Sequence, residues 1–317
     1  MSFRVVSTGS YVPQRIVKNQ ELEQILDTTD QWIIERTGIH SRHICTDETA
    51  EELAVGAARH ALNEVSLDPL ELDLIICATV SAPYISPNLA SLVQAGIGAR
   101  CPALDINAAC SAFIYMLETA AAYFARGKVK KVLVVGAEQM SRILDWTDRN
   151  TAVIFGDAAA ACVLESGDNY LASRLYSKGD KEIIKIPTKT GNSPFFCGEE
   201  DKPLIQMKGQ ETFKFAVSIM ASDILDVISE ARLTESDIDY VIPHQANKRI
   251  MDAAMRKINI PYQRCVINIE RFGNTSAASI PLALDELNKS GKLQRGDNLV
   301  MTAFGGGLAS AACVLRW

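Results

Sequence analysis

Cys110 sits in the run DINAACSAF, where the strand-like ALDIN gives way to an apolar helical stretch. At a helix start, free backbone N–H groups and the positive end of the helix dipole favour a thiolate over a thiol, and the thiolate is the nucleophile. A small buried core residue is the competing reading for a cysteine in such a setting. His244 lies in IPHQAN, after an apolar strand and before a helical stretch that begins near Asn247. The carboxyl end of a strand is where α/β folds hold their ligands, although a hydrogen-bonded structural histidine would look the same. Of the four histidines, His40, His43 and His60 stand in charged, exposed settings, which leaves His244 as the candidate for catalysis. Asn274, in RFGNTSAAS, reads as a turn and helix start, and an ordinary N-cap explains it equally. The glycines of AFGGGLAS at 305–307 follow NLVMTAF and would let backbone N–H groups approach a reacting carbonyl. A tight turn between two strands accounts for them as well.

The elements that must position these residues repeat along the chain. A helical stretch at 51–65 leads through Leu67 and Asp73 into LIICATV at 74–80, and a second at 213–231 leads through Leu233 and Asp239 into YVIPHQA at 240–246. RGKVKKVLVVG at 126–136 is echoed by SGKLQRGDNLVMTAFG at 290–305, and AACVL occurs at 160–164 and again at 311–315. The offset is 166 for the Leu and Asp pairs, 164 for Gly127 and Gly291, and 151 for AACVL, which assigns an additional segment near 142–157 to the first half. Cys110 and Asn274 share the 164 offset, so they are expected at matching starts of two paired helices.

Strand-like runs alternate with helical patterns in both halves, the mark of an α/β fold. The stretch 111–126 carries Phe113, Met116, Leu117, Ala120, Ala121 and Phe124 with little charge on any side, and 276–287 is its counterpart. Helices apolar nearly all round belong in the middle of a protein. Two central helices between two sheets are therefore expected, with halves at 1–168 and 169–317. The Pro- and Gly-bearing segments 81–88 (SAPYISPN) and 186–204 either border a binding site or serve as surface connections.

With 317 residues, 48% of them hydrophobic, the chain supports about two domains of roughly 100 to 200 residues. Its 32 basic and 38 acidic residues leave a net charge of -6, which argues against a nucleic-acid binder, so any anionic partner must meet a local patch. Neither a signal-type start nor an apolar run of about 18 residues is present, so a cytoplasmic protein with no membrane partner is expected. The eight cysteines form no CxxC pair and no zinc spacing with histidine, so free thiols and no metal are expected. GxGxxG is absent and STGS at 7–10 is too short for a phosphate loop, so no nucleotide cofactor is implied.

The order of Cys110, His244 and Asn274 in NAACSAF, PHQAN and GNTSAAS, with FGGG at 304–307, resembles the β-ketoacyl-acyl carrier protein synthase III family. STGSYVP at 7–13, DQWIIERTGI at 30–39 and DRNTAVIFGD at 148–157 extend the resemblance over essentially the whole chain. It implies the thiolase fold, with duplicated halves in a five-layer α/β/α/β/α arrangement, and a homodimer. It further implies the initiating step of bacterial type II fatty-acid synthesis. Cys110 would take an acetyl or other short acyl group from coenzyme A. Malonyl-acyl carrier protein would then lose carbon dioxide, and its enolate would attack the acyl-cysteine. Coenzyme A thioesters are substrates in this scheme, and no cofactor is needed.

By the same resemblance His244 and Asn274 donate hydrogen bonds to the thioester oxygen, each worth roughly 3 to 4 kcal/mol. The backbone N–H groups of Cys110 and Gly306 form the oxyanion hole, and Trp32, Arg36, Arg149 and Asn247 contact coenzyme A. Trp32 and Arg149 would flank the adenine, a reasonable pairing of indole and guanidinium with a base. An acidic carrier protein needs a basic patch, supplied by Lys214, Lys248, Arg249, Arg256 and Lys257; Arg249 and Arg256 share a face if 246–258 is a helix. Ser86 stands where acetyl-selective members tend to carry a bulky aromatic, which implies a roomier acyl pocket unless Tyr84 and Ile85 fill it. Thiolases carry a second cysteine where this chain has Phe304, and hydroxymethylglutaryl-CoA synthases a glutamate base not evident in NAACSAF. A relative serving secondary metabolism and a non-catalytic acyl-coenzyme A binder of the same fold are the remaining rivals.

Overall fold

The repeated apolar runs assemble into two sheets in the computed structural model, which describes residues 2–188, 194, 195 and 201–317. Among these residues the first sheet has the order Ser2–Tyr11, Asp157–Gly167, Lys131–Gln139, Leu74–Ala78, Ala103–Ile106. The second runs Tyr170–Asp180, Gly307–Arg316, Asn298–Gly305, Tyr240–Pro243. The pairing sense matches as well: antiparallel on the side of the long strands, parallel between Lys131–Gln139 and Leu74–Ala78 and between Asn298–Gly305 and Tyr240–Pro243. A parallel bridge from Val241 to Cys265 stands where the first sheet has its edge strand Ala103–Ile106.

Helices Ala112–Ala125 and Ser279–Lys289 lie between the sheets, because both of their faces are apolar and only a two-sided slot buries them. Phe113, Leu117 and Phe124 of the one and Ile280 and Leu284 of the other join Val134 and Met301 in one core. The outer face of the first sheet is covered by Ala50–Glu64 and Leu89–Ile97, and that of the second by Gly209–Glu230. The result is the expected five-layer α/β/α/β/α arrangement. Strands of the first sheet fall within residues 2–167 and those of the second within 170–316.

The additional segment of the first half is real: a 3₁₀ turn at Met140–Ile143 and a short helix at Arg149–Ala152 separate two strands that Gly306 alone separates in the second half. The register at the helix starts differs from expectation. Ala109 and Ser276 both have φ of +47°, each opening a 3₁₀ turn before a central helix. Asn107 and Asn274 each accept the N–H two residues on, at 3.2 and 2.8 Å. Asn274 therefore matches Asn107, and Cys110 matches Ala277. The segment 186–204 lies in good part outside the described residues, as does Cys197.

Candidate active site

Two glycines set the helix starts against the strand ends. A Cβ on Gly305 would stand 2.8 Å from the backbone nitrogen of Cys110, and one on Gly136 would stand 2.5 Å from the carbonyl oxygen of Ala277. Only a bare backbone lets strand and helix approach this closely. Cys110 is thereby held at the wall of a cavity of about 690 Å³, which His244, Asn274 and Gly306 also line. Gly306 fulfils both readings of the glycine run, since it joins two strands and faces the cavity.

The Cys110 residue is half-buried, but its sulfur is enclosed. Burial pushes the thiol up to about 12, more than offsetting a hydrogen bond with Ser276, and the charge of Glu138 adds to the rise. Burial thus opposes the thiolate that a helix start favours. Cys110 Sγ lies 3.4 Å from Ser276 Oγ.

His244 follows strand Tyr240–Pro243, and its N–H donates to the Thr302 carbonyl at 2.7 Å. The ring is buried, edge-on to Phe304, and burial lowers its pKa to about 3, so it is neutral near pH 7. Nδ1 lies 2.6 Å from Ser279 Oγ, an oxygen that also accepts the Gln245 N–H at 3.4 Å. We assign the Ser279 hydrogen to Nδ1 from this network, which leaves the imidazole hydrogen on Nε2. Asn274 is clamped by its backbone to Ile154 and Gly156 at 2.9 and 3.1 Å. Its Oδ1 is taken by the Ser276 N–H, which makes Nδ2 the donor end of the amide. Among the other histidines, His40 and His60 are exposed as expected, whereas His43 is half-buried, its Nδ1 2.6 Å from the Pro13 carbonyl oxygen.

The residues expected at coenzyme A come together around Trp32, which is half-buried on helix Asp30–Thr37. The guanidinium carbons of Arg36 and Arg149 lie 5.8 and 5.1 Å from its ring centroid. Asn247 caps helix Lys248–Met255 and donates to the Arg36 carbonyl at 2.9 Å. Trp32, Arg36 and Asn247 line the cavity; Arg149 stands just outside it, donating to the Asp27 carbonyl at 2.7 Å, while its neighbour Asn150 lines it.

The basic cluster divides. Lys214 and Arg249 are exposed and line the cavity. Arg256 and Lys257 are exposed at and beyond the end of a helix shorter than 246–258. Lys248 is bound to Asp252 at 3.2 Å and to the Tyr262 hydroxyl at 2.9 Å, so its charge is largely spent within the chain. Ser86, with Tyr84 and Ile85, is exposed and does not line this cavity, because the 81–88 segment projects outward in the single chain.

Three buried polar residues at the site escaped sequence reading: Glu138, Ser276 and Ser279. The two serines stand within the GNTSAAS run, masked by its turn-like composition. Glu138 is the last residue but one of the apolar strand Lys131–Gln139, and a lone acid near a strand's carboxyl end was a signal available to be read. Among the described residues no group of three or more His, Cys, Asp or Glu could hold a metal ion, and no helix is long and apolar enough to cross a membrane.

Residues 104–179 match the family described as 3-oxoacyl-[acyl-carrier-protein (ACP)] synthase III, and residues 228–317 match its C-terminal region. A β-ketoacyl-[acyl-carrier-protein] synthase III of Clostridium acetobutylicum is 44% identical, over 100% of this chain and 99% of its own. The crystal structure of 3-oxoacyl-[acyl-carrier-protein] synthase III from Aquifex aeolicus superposes with a TM-score of 0.93 at 44% identity, covering 99% of this chain and 100% of that one. The priming β-ketosynthase of the R1128 polyketide biosynthetic pathway gives a TM-score of 0.92 at 33% identity, covering 99% and 96%. With its fold, its cavity and these full-length matches, the chain belongs to the 3-oxoacyl-[acyl-carrier-protein] synthase III family of condensing acyltransferases.

Proposed function

We propose that this chain catalyses the initiating condensation of a short acyl-coenzyme A, acetyl-coenzyme A above all, with malonyl-acyl carrier protein. The observation that carries the reading is the gathering of Cys110, His244, Asn274 and Gly306 on one cavity, with the Trp32 cluster beside it. Cys110 accepts the acyl group and coenzyme A departs. Malonyl thioester then occupies the cavity, and carbon dioxide leaves as negative charge develops on the thioester oxygen. His244 Nε2–H and Asn274 Nδ2–H stabilise that oxygen; a neutral imidazole fixed by Ser279 presents its hydrogen without first gaining one. The enolate carbon attacks the acyl-cysteine, and the N–H groups of Cys110 and Gly306 stabilise the tetrahedral oxyanion. Collapse frees the thiol and yields a β-ketoacyl-acyl carrier protein. Arg249 and Lys214 at the cavity, with Arg256 and Lys257 farther out, receive the acidic carrier.

In this reading the chain divides into halves at 1–168 and 169–317, works as a homodimer in the cytoplasm, and uses coenzyme A thioesters as substrates with no cofactor. Incubation with a panel of acyl-coenzyme A compounds, followed by intact mass measurement, tests it. One acyl adduct is expected on the native chain and none on Cys110→Ala. Absence of any adduct, or one that survives the substitution, rejects the mechanism, and the panel also ranks the primers.

A further inference from the structure

The residues assigned to coenzyme A ride on two short elements: helix Asp30–Thr37 with Trp32 and Arg36, and helix Arg149–Ala152 with Arg149 and Asn150. These are far apart in sequence, so something must fix the gap between them. The side chain that reaches both is Arg42, which is 0% exposed and, by volume, the largest fully buried side chain among the described residues. It lies on strand Ser41–His43, paired with Ile16–Lys18, and does not itself line the cavity.

Arg42 Nη2 donates to the Val153 carbonyl at 2.9 Å, and Val153 directly follows helix Arg149–Ala152 and lines the cavity. Nη1 donates to Asn19 Oδ1 at 2.8 Å and to the Val17 carbonyl at 3.4 Å. Asn19 is also 0% exposed, and its Nδ2 serves both ends of the other helix. It donates at 2.8 Å to Asp30 Oδ1, on the first helical residue, and at 2.8 Å to the Ile39 carbonyl, just past the last. One guanidinium and one amide therefore join the two walls that carry Trp32 and Arg149.

Burying an arginine is costly, and hydrocarbon of similar volume would fill the space without that cost. What hydrocarbon lacks is the planar fork, whose donors hold two acceptors at a set separation. Bare backbone lets the stem in: a Cβ on Gly156 would lie 3.1 Å from Arg42 Cβ, and one on Gly273 3.5 Å from it. From this geometry we propose that Arg42 is a positioning residue for coenzyme A, its fork setting the spacing between the Trp32 and Arg149 walls. The proposal rests on the reading of the Trp32 cluster as the coenzyme A site.

The 153–156 segment also pairs with the backbone of Asn274, so the test reads Cys110 acylation, a step in which Asn274 has no part. Quenched intact mass gives the acylation rate against concentration for two donors. One is acetyl-coenzyme A; the other is the acetyl thioester of N-acetylcysteamine, which has the reacting end and no nucleotide. Arg42→Lys keeps the charge and an apolar stem but loses the fork. It should raise the half-saturating concentration of acetyl-coenzyme A about 10-fold, with the limiting rate and acylation by the short thioester within about threefold of native. A merely structural role would depress both donors alike, since both need the same cysteine. Asp30→Ala, at a half-buried position, breaks only the link through Asn19 and should raise that concentration about threefold. Trp32→Ala reads the coenzyme A assignment by itself and should raise it about 10-fold. No rise with Trp32→Ala would reject that assignment. A rise there, with none in Arg42→Lys or with equal losses toward both donors, would overturn the role of Arg42 alone. Should Arg42→Lys fail to fold, Asp30→Ala decides by the same two criteria.

Discussion

Cys110 and His244 are both uncharged near pH 7, for one reason: each is enclosed in a site where a charge has lost its water. For His244 this makes the ring a hydrogen-bond donor throughout the neutral range, with Ser279 deciding which nitrogen carries the hydrogen. Ser279→Ala should therefore slow malonyl-acyl carrier protein decarboxylation about 10-fold and His244→Ala about 100- to 1000-fold, with Cys110 acylation changed less than about threefold in either. Equal losses in both half-reactions would show that the pair supports the fold and not the donor. The pKa also links to stability. Histidine in the unfolded chain takes up a proton below about 6.5, whereas His244 in the fold does so near 3. The stability due to this difference is fully present above 6.5 and is lost as pH falls from 6.5 toward 3. Thermal melts should show the native chain losing stability over that window faster than His244→Gln. Cys110, His244 and Asn274 were legible in sequence because each stands in a short run of distinctive neighbours. Ser276 and Ser279 were not, because their meaning lies in contacts made across 35 residues or more, which no local pattern carries.

At the scale of elements, the duplication was legible in strands and blurred in helices. Strands Leu74–Ala78 and Tyr240–Pro243 keep one offset with the turns that precede them. The central helices do not: Ala112–Ala125 has 14 residues and Ser279–Lys289 has 11, about one turn fewer. The offset therefore shifts within the helices, and a register taken from Gly127 and Gly291, beyond their ends, misplaces their starts by three residues. That is why Asn274 was matched with Cys110 and not with Asn107. The helix starts are fixed instead by the strand-end glycines, which makes Gly305 a sensitive position. A methyl group 2.8 Å from the Cys110 nitrogen must push strand and helix apart. Gly305→Ala is expected to cost about 1 to 3 kcal/mol of stability, the usual range for overpacking. It should also slow Cys110 acylation at least about 10-fold, because the proposed nucleophile and the proposed oxyanion donor ride on the displaced turn. Acylation at the native rate in a variant with a lowered melting temperature would separate the two effects and refute the positional claim.

Over the whole molecule, a net charge of -6 must be reconciled with an acidic carrier protein as partner. The solution is local, since attraction between exposed charges fades beyond about 8 to 10 Å at physiological salt. The charges that count are therefore those at the cavity, and the pairing of Lys248 with Asp252 and Tyr262 removes one of those counted in the sequence. In the proposed docking Arg249, exposed, lining the cavity and 5.8 Å from the Phe213 ring, is then the central cation. Arg249→Glu should raise the KM for malonyl-acyl carrier protein about 10-fold or more, while Cys110 acylation by acetyl-coenzyme A changes less than about threefold. Arg256→Glu, farther from the cavity, should do less. Salt supplies an independent check, because electrostatic steering of a protein partner weakens as ionic strength rises. Going from about 0.05 to 0.3 M salt should raise the native KM for the carrier substrate and flatten the difference between native enzyme and Arg249→Glu. If Arg249→Glu slows both half-reactions alike at every salt concentration, Arg249 serves coenzyme A, and the carrier must dock elsewhere on the molecule.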